Sequence, residues 1–222
     1  MQKLPENRIN VRFAQEIIRA LRDIENELGL GSEGCVITRG CDEKFWCTGL
    51  DLDEVESNPY ANTDGFFPLL ATLLDYSFPT IALITGHTFG GACPFALSHD
   101  YRIMNSKRGY FSMPPVNLGL HFPGIGFLSR LKLRPQIARK MLLEAHKWTG
   151  KEALDDGIVD QVAEPSELLS VALEKARGIQ GKAKMGVYSL LRNELWGEAS
   201  EAFRNISYVH GKTTNTSLKA KI

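Results

Sequence analysis

The sequence predicts an α/β layered fold with crossover connections, and three observations carry that prediction. Short apolar runs rich in β-branched residues, at 35–38 and 79–84, have the length and composition of buried strands. Amphipathic helical patterns lie before, between and after them. Glycine turns, at Thr48-Gly49 and from Gly86 to Gly91, stand where a strand gives way to the next element. Helix, strand and turn alternate through the first half, the order that parallel strands joined by crossovers require.

In chain order, Asn10 starts a helix over 11–28, where Phe13, Ile17, Ile18, Leu21 and Ile24 recur at helical spacing and Gly29 is a stop signal. Cys35-Val36-Ile37-Thr38 reads as a buried strand ended by Arg39-Gly40. The stretch from Lys44 to Leu52 holds the first glycine turn, and a loop leads into a helix over 66–76. Strand 79–85, the second turn and a small-residue helix over 92–99 follow. Tyr101-Arg102-Ile103-Met104 and Gly109-Tyr110-Phe111 are short strands, and Pro114-Pro115 excludes helix interior. From Pro135 the pattern is mainly helical, over 135–145, 151–156, 166–180, 182–196 and 197–210, with glycines at 150, 157, 181, 197 and 211 marking joints. Trp148, Trp196, Phe203 and Tyr208 give this tail apolar faces for the core and for a neighbouring subunit. The expected organisation is an α/β core over 1–134 that carries the site, with a helical region over 135–222 in the same domain.

The 222 residues suffice for one good-sized core. Lys+Arg and Asp+Glu both number 26, so no global field draws the chain to nucleic acid or an anionic membrane. An anionic ligand must be held locally. Cys35, Cys41, Cys47 and Cys93 have no zinc-ribbon spacing and follow no secretory leader, which reads as reduced thiols in an intracellular protein with no metal site. No apolar stretch approaches the roughly 20 residues of a membrane span.

Chemistry enters at the turn Gly86-His87-Thr88-Phe89-Gly90-Gly91-Ala92-Cys93-Pro94. Paired glycines let backbone approach a ligand, and the first amides of the following helix have no intrahelical partners. Such donors suit the negative charge of an enolate or a tetrahedral intermediate. A tight packing turn is the alternative for this segment alone. With the Gly49 turn beside it, two amides can reach one oxygen.

At these residues the sequence resembles the crotonase superfamily, the enoyl-CoA hydratases and isomerases, over nearly its whole length. The family block F-x-x-G-x-D-L stands here as Phe45-Trp46-Cys47-Thr48-Gly49-Leu50-Asp51-Leu52, and the block G-x-x-x-G-G-(G/A)-C-x-x-A-L-x-x-D as Gly86 through Asp100. Further family-like pieces are Pro114-Pro115-Val116-Asn117-Leu118-Gly119-Leu120 and the stretch from Gly150 to Asp160. The resemblance implies a ClpP/crotonase spiral of ββα units with a helical C-terminal region, assembled as a homotrimer or hexamer. It implies oxyanion-hole amides at Leu50 and Gly91, and a coenzyme A thioester as substrate with no permanently bound cofactor. Lys44, Trp46, Thr48, Gly49 and Asp51 would take the pantetheine and adenine end. Gly90, Pro94, Pro115, Leu120 and Pro123 would be further substrate-binding positions. For Asp51, capping of the next helix is the stronger alternative.

The resemblance breaks at the acids. The two hydratase glutamate positions fall on Pro94 and Pro115, and the alternative isomerase acid falls on Pro123. Proline fits a first helical turn at 94 and an extended run at 115, so the fold survives while proton exchange does not. His121, just after Leu118-Gly119-Leu120, is the first candidate for a replacement base, since imidazole titrates near neutral pH. An ordinary surface or core histidine is its alternative. His87 either lines the pocket or holds the turn by a backbone hydrogen bond, and His99, Asp100, Cys47 and Cys93 read as structural.

The segments 96–101 and 108–113 look most like the Δ3,Δ2-enoyl-CoA isomerase branch, especially plant peroxisomal members. Enoyl-CoA isomerase is therefore the leading expectation. Hydration or other CoA-ester chemistry, and a non-catalytic acyl-CoA binder, are the alternatives. Family members begin with a strand hairpin, whereas only six residues precede Asn7, so the sheet is expected to lack its first strands or the chain to be shortened. Ala220-Lys221-Ile222 resembles a peroxisomal address, which implies a peroxisomal import receptor as partner, with a cytoplasmic location otherwise.

Overall fold

The computed structural model describes residues 1–206. Tyr208 and the tripeptide Ala220-Lys221-Ile222 lie outside the described residues. The chain opens with α1 (Val11–Leu28), whose Asn10 side chain accepts the Phe13 N–H at 2.9 Å and whose Gly29 ends it at φ 77. Three turns of one pattern come next. The first has β1 (Val36–Arg39), β2 (Phe45–Cys47), α2 (Leu52–Ser57) and a π-helical turn (Asn62–Phe66) running into α3 (Phe67–Leu74). The second has β3 (Thr80–Ile84), β4 (His87–Phe89) and α4 (Ala92–Leu97). The third has β5 (Tyr101–Asn105), β6 (Phe111–Ser112) and α5 (Pro115–Leu118). Helices α6 (Phe127–Lys132), α7 (Pro135–Glu144) and α8 (Gly150–Asp155) lead to β7 (Gln161–Ala163), α9 (Leu168–Ile179), a 3₁₀ turn (Gln180–Ala183) and α10 (Val187–Asn205).

Each turn gives its first strand to one parallel sheet, β1-β3-β5-β7, and its second to another, β2-β4-β6. The result is a spiral of ββα units. The larger sheet is covered on both faces, as parallel sheets require. Ile81, Leu83 and Ile103 pack with Ala172 and Ala176 of α9, while the alternate residues Ala82, Ile84 and Met104 join the main core. That core draws on both halves of the chain, from Phe66, Phe67 and Trp46 to Met141, Trp148 and Phe203.

Four features differ from the sequence reading. The mainly helical C-terminal region also adds a strand, β7, to the larger sheet, which the helical pattern did not show. Residues 87–89 form a short strand inside the second turn, between Gly86 and Gly90, rather than part of one loop. Pro115 is not extended: it occupies the first turn of α5, where a missing N–H costs nothing. Gly197 is no joint, because α10 runs through it; the buried Arg192, Ala199, Ser200 and Phe203 hold both sides of the helix down. Before β1, the only ladder contact among the described residues is an isolated parallel bridge from Ile9 to Leu50.

Candidate active site

The two glycine turns abut. Gly49, at φ 92, has no room for a side chain: a Cβ there would stand 2.6 Å from the Phe89 carbonyl oxygen and 2.8 Å from the Gly91 nitrogen. A Cβ on Gly91 would meet Leu50 Cγ at 3.0 Å and the Leu50 nitrogen at 3.3 Å. Since a Cβ lies about 2.5 Å from its own nitrogen, the Leu50 and Gly91 nitrogens are no more than about 6 Å apart. Two N–H donors at about 2.9 Å each span one acceptor over that separation.

Neither donor has an acceptor among the described residues. Thr48 N–H donates to the Glu6 carbonyl at 3.0 Å, Asp51 N–H to the Ile9 carbonyl at 2.9 Å and Gly90 N–H to the Ser112 carbonyl at 3.0 Å. Among the described residues, the Leu50 and Gly91 N–H groups have no protein acceptor. Their direction is set by their neighbours. The Gly49 carbonyl accepts Ile9 N–H at 2.7 Å, and a planar trans peptide then turns the Leu50 N–H away from Ile9.

The flanking side chains divide by environment. Asp51 stands at the start of α2 without making a cap bond and pairs instead with Lys3 at 2.9 Å. Thr48 Oγ1 donates to Glu6 Oε2 at 3.3 Å. Lys44 is exposed and lies 5.0 Å from the centre of the Phe45 ring. Trp46 corrects the sequence reading: it is fully buried, stacked 5.2 Å from Phe95 and edge-on to His99, so its indole belongs to the core and not to a ligand loop. Trp46, three residues before Gly49, fills the place that the block pattern put at Phe45.

Pro94 is buried in the first turn of α4. The Phe89–Ser112 pairing brings β6 alongside the second turn, and three residues further the chain reaches Pro115. There the Leu120 N–H returns to the Pro115 carbonyl at 3.0 Å, and Phe122 packs on Phe66 and Phe67 at 5.9 and 6.3 Å. Leu120 and His121 are exposed on the loop so pinned, with Pro123 half-buried beyond it.

His87 and His99 hold backbone in place. His87 Nδ1 accepts the Tyr110 N–H at 3.2 Å, and burial, then Lys44 and Arg108, lower its pKa. His99 is enclosed; its Nδ1–H donates to the Phe95 carbonyl at 2.9 Å, so Nε2 accepts from the Thr38 hydroxyl at 2.8 Å. Burial pushes its pKa down to about 3, which leaves a neutral ring. Asp100 accepts from Thr80 and from the buried Arg192. The thiols of Cys47 and Cys93 are fully buried, and burial raises the pKa of both, Cys47 to about 12. No group of three or more His, Cys, Asp or Glu that could hold a metal occurs among the described residues, and no described helix is long and apolar enough to cross a membrane.

The sequence reading missed the segment from Lys3 to Ile9, which satisfies the amides around Leu50. Asn7, at φ 51 and without exposure, is its centre, and no periodicity marks such a segment.

The site is thus a two-sheet ββα spiral that sets two N–H groups without an acceptor among the described residues on abutting turns. The Enoyl-CoA hydratase/isomerase profile matches residues 1–211. Enoyl-CoA delta isomerase 3 of Arabidopsis thaliana is 32% identical over 200 residues, 84% of each chain. Carnitinyl-CoA dehydratase of Salmonella arizonae is 35% identical over 159 residues, 69% of this chain and 60% of that one. In fold, an enoyl-CoA hydratase from Mycobacterium marinum superposes with a TM-score of 0.80 at 23% identity, over 92% of this chain and 88% of that one. The chain belongs to the enoyl-CoA hydratase/isomerase family.

Proposed function

We propose that this chain is an acyl-CoA-processing enzyme of fatty-acid metabolism, a Δ3,Δ2-enoyl-CoA isomerase working through an enolate held by the Leu50 and Gly91 amides. The observation that carries the reading is the pair of unused main-chain donors on abutting turns. A thioester oxygen between them gains charge when the α-proton leaves, and both donors strengthen as it does. Loss of the α-proton moves the electron pair through the 3,4 double bond, and the γ-carbon then takes a proton. His121 is the assigned base. Lys44, Thr48, Gly49 and Asp51 take the pantetheine and adenine end, and Gly90, Pro94, Pro115, Leu120 and Pro123 line the acyl end. Trp46 has no part in this.

Homo-oligomerisation, as trimer or hexamer, is supported by the outward leucines of α10: Leu190, Leu191 and Leu195 are 66, 61 and 64% exposed. Delivery to the peroxisome is the reading of Ala220-Lys221-Ile222.

One observation favours a second reading. Proline at 94, 115 and 123 removes the usual proton donors and acceptors, as in a non-catalytic acyl-CoA binder. Hydratase, dehydratase or hydrolase chemistry is the other alternative. Conversion of 3-enoyl-CoA esters by the parent, His121→Ala and His121→Gln separates these. Isomerisation by the parent with at least a 100-fold loss in both variants supports the proposal. Tight acyl-CoA binding with no turnover of any enoyl ester overturns it in favour of the binder.

A further inference from the structure

Of the four consecutive amides from Thr48 to Asp51, two are held by carbonyls of the N-terminal segment and one, Leu50, is unused. The fourth is held by sulfur: Gly49 N–H donates to Cys47 Sγ at 3.4 Å. The same thiol donates its proton to the Asn7 carbonyl at 3.1 Å. Asn7 is itself immobilised, with its Nδ2 donating to the Trp46 carbonyl at 3.0 Å, its Oδ1 accepting Lys3 N–H at 2.7 Å and its N–H on the Lys3 carbonyl at 2.7 Å. Cys47 therefore bridges a fixed point to the peptide that precedes Gly49.

Gly49 is the swivel between that peptide and the one carrying the Leu50 N–H, and glycine alone offers little torsional resistance. Two bonds clamp it. The Ile9 N–H holds the Gly49 carbonyl on one side, and Cys47 holds the Gly49 N–H on the other. An apolar side chain at 47 would pack in the same space and leave that buried N–H without an acceptor. A substitution that only needed filling would not be felt at Leu50; one that releases the swivel would.

Resting on the enolate reading above, we infer that Cys47 is a positioning residue whose buried thiol fixes the Gly49 peptide and so aims the Leu50 N–H at the shared thioester oxygen. It touches no substrate. Its effect is on how strongly the bound carbonyl is polarised, not on how well the CoA ester binds.

The test uses the full chain and its Cys47→Ala and Cys47→Val variants, the second retaining strand preference and leaving no cavity should the first not fold. Infrared difference spectra of bound octanoyl-CoA, with and without carbon-13 at the carbonyl, are recorded beside kcat and KM for a 3-enoyl-CoA. The parent is expected to lower the carbonyl stretching frequency. Each folded variant is expected to lose at least half of that shift and about tenfold in kcat, with KM and octanoyl-CoA affinity within twofold of the parent. A folded variant with the parent's shift and kcat overturns the role of Cys47 while leaving the paired-amide reading standing. Absence of any shift in the parent overturns that reading, and this inference with it.

Discussion

Gly91 has an ordinary helical φ of −56, so alanine fits its backbone; the obstacle is the space between the turns. Gly91→Ala is expected to shift the melting temperature by only a few degrees and to lower 3-enoyl-CoA turnover about 100-fold or more, because a methyl 3.3 Å from the Leu50 nitrogen separates the paired donors. Gly49→Ala is expected to fail differently, by loss of folded protein, since φ 92 and a carbonyl oxygen 2.6 Å away leave no place for a Cβ. Thermal melts beside turnover distinguish the two outcomes. His99 gives a pH prediction. Its folded pKa lies near 3, below the usual 6.5, so between those values the unfolded chain binds the extra proton. Its contribution is whole above pH 6.5 and is lost as pH falls toward 3, at a slope approaching about 1.4 kcal/mol per pH unit. Denaturant titrations of His99→Gln from pH 7 to 4 should show a flatter acid limb than the parent; an unchanged limb would rule out the buried neutral ring. The structural role of His99 was readable in the sequence because it lies at a helix end, whereas for His87 the sequence left pocket lining and turn holding both open, and the Tyr110 N–H contact favours the second. The place of Trp46 was not readable, because alternation over three strand residues does not say which face turns inward.

Among the elements, α10 is tied down by charge. Arg192 reaches Asp100 with Nε at 2.8 Å and a second nitrogen, and also donates to the Tyr76 and Phe78 carbonyls. Arg192→Met leaves the largely enclosed Asp100 carboxylate without its Arg192 partner, and a loss of about 3–5 kcal/mol in urea-unfolding free energy is expected. Gly197→Ala should move stability the other way. The atoms nearest its Cβ would be the tip of the exposed Asn193 side chain, which can swing aside, so a mid-helix alanine is worth about 1 kcal/mol, or about 2–4 °C in melting temperature. The bounds of α1 were legible from Asn10, the apolar spacing and Gly29. β2, β4 and β6 were hard to see because two or three residues cannot display a period, and α10 was cut at Gly197 because a local propensity says nothing of the packing that overrides it.

For the molecule as a whole, the layered α/β spiral was legible from four ordered blocks and alternating apolar runs, whereas the partition of strands into two sheets is set by pairing between distant segments. The outward leucines of α10 carry the prediction at this scale. Sedimentation of the parent should give a multiple of 24.7 kDa, and Leu191→Lys with Leu195→Lys should release a smaller species with an unchanged far-ultraviolet spectrum. A parent that sediments as a monomer removes the proposal of a homo-oligomer. One property of the proposed centre reaches beyond these tests: its donors are N–H groups that every amino acid except proline supplies. A systematic alanine scan would therefore pass over position 50 almost silently and register its losses at the glycines, Cys47 and Asn7, so a map of sensitive side chains would outline the centre while leaving one of its working atoms blank.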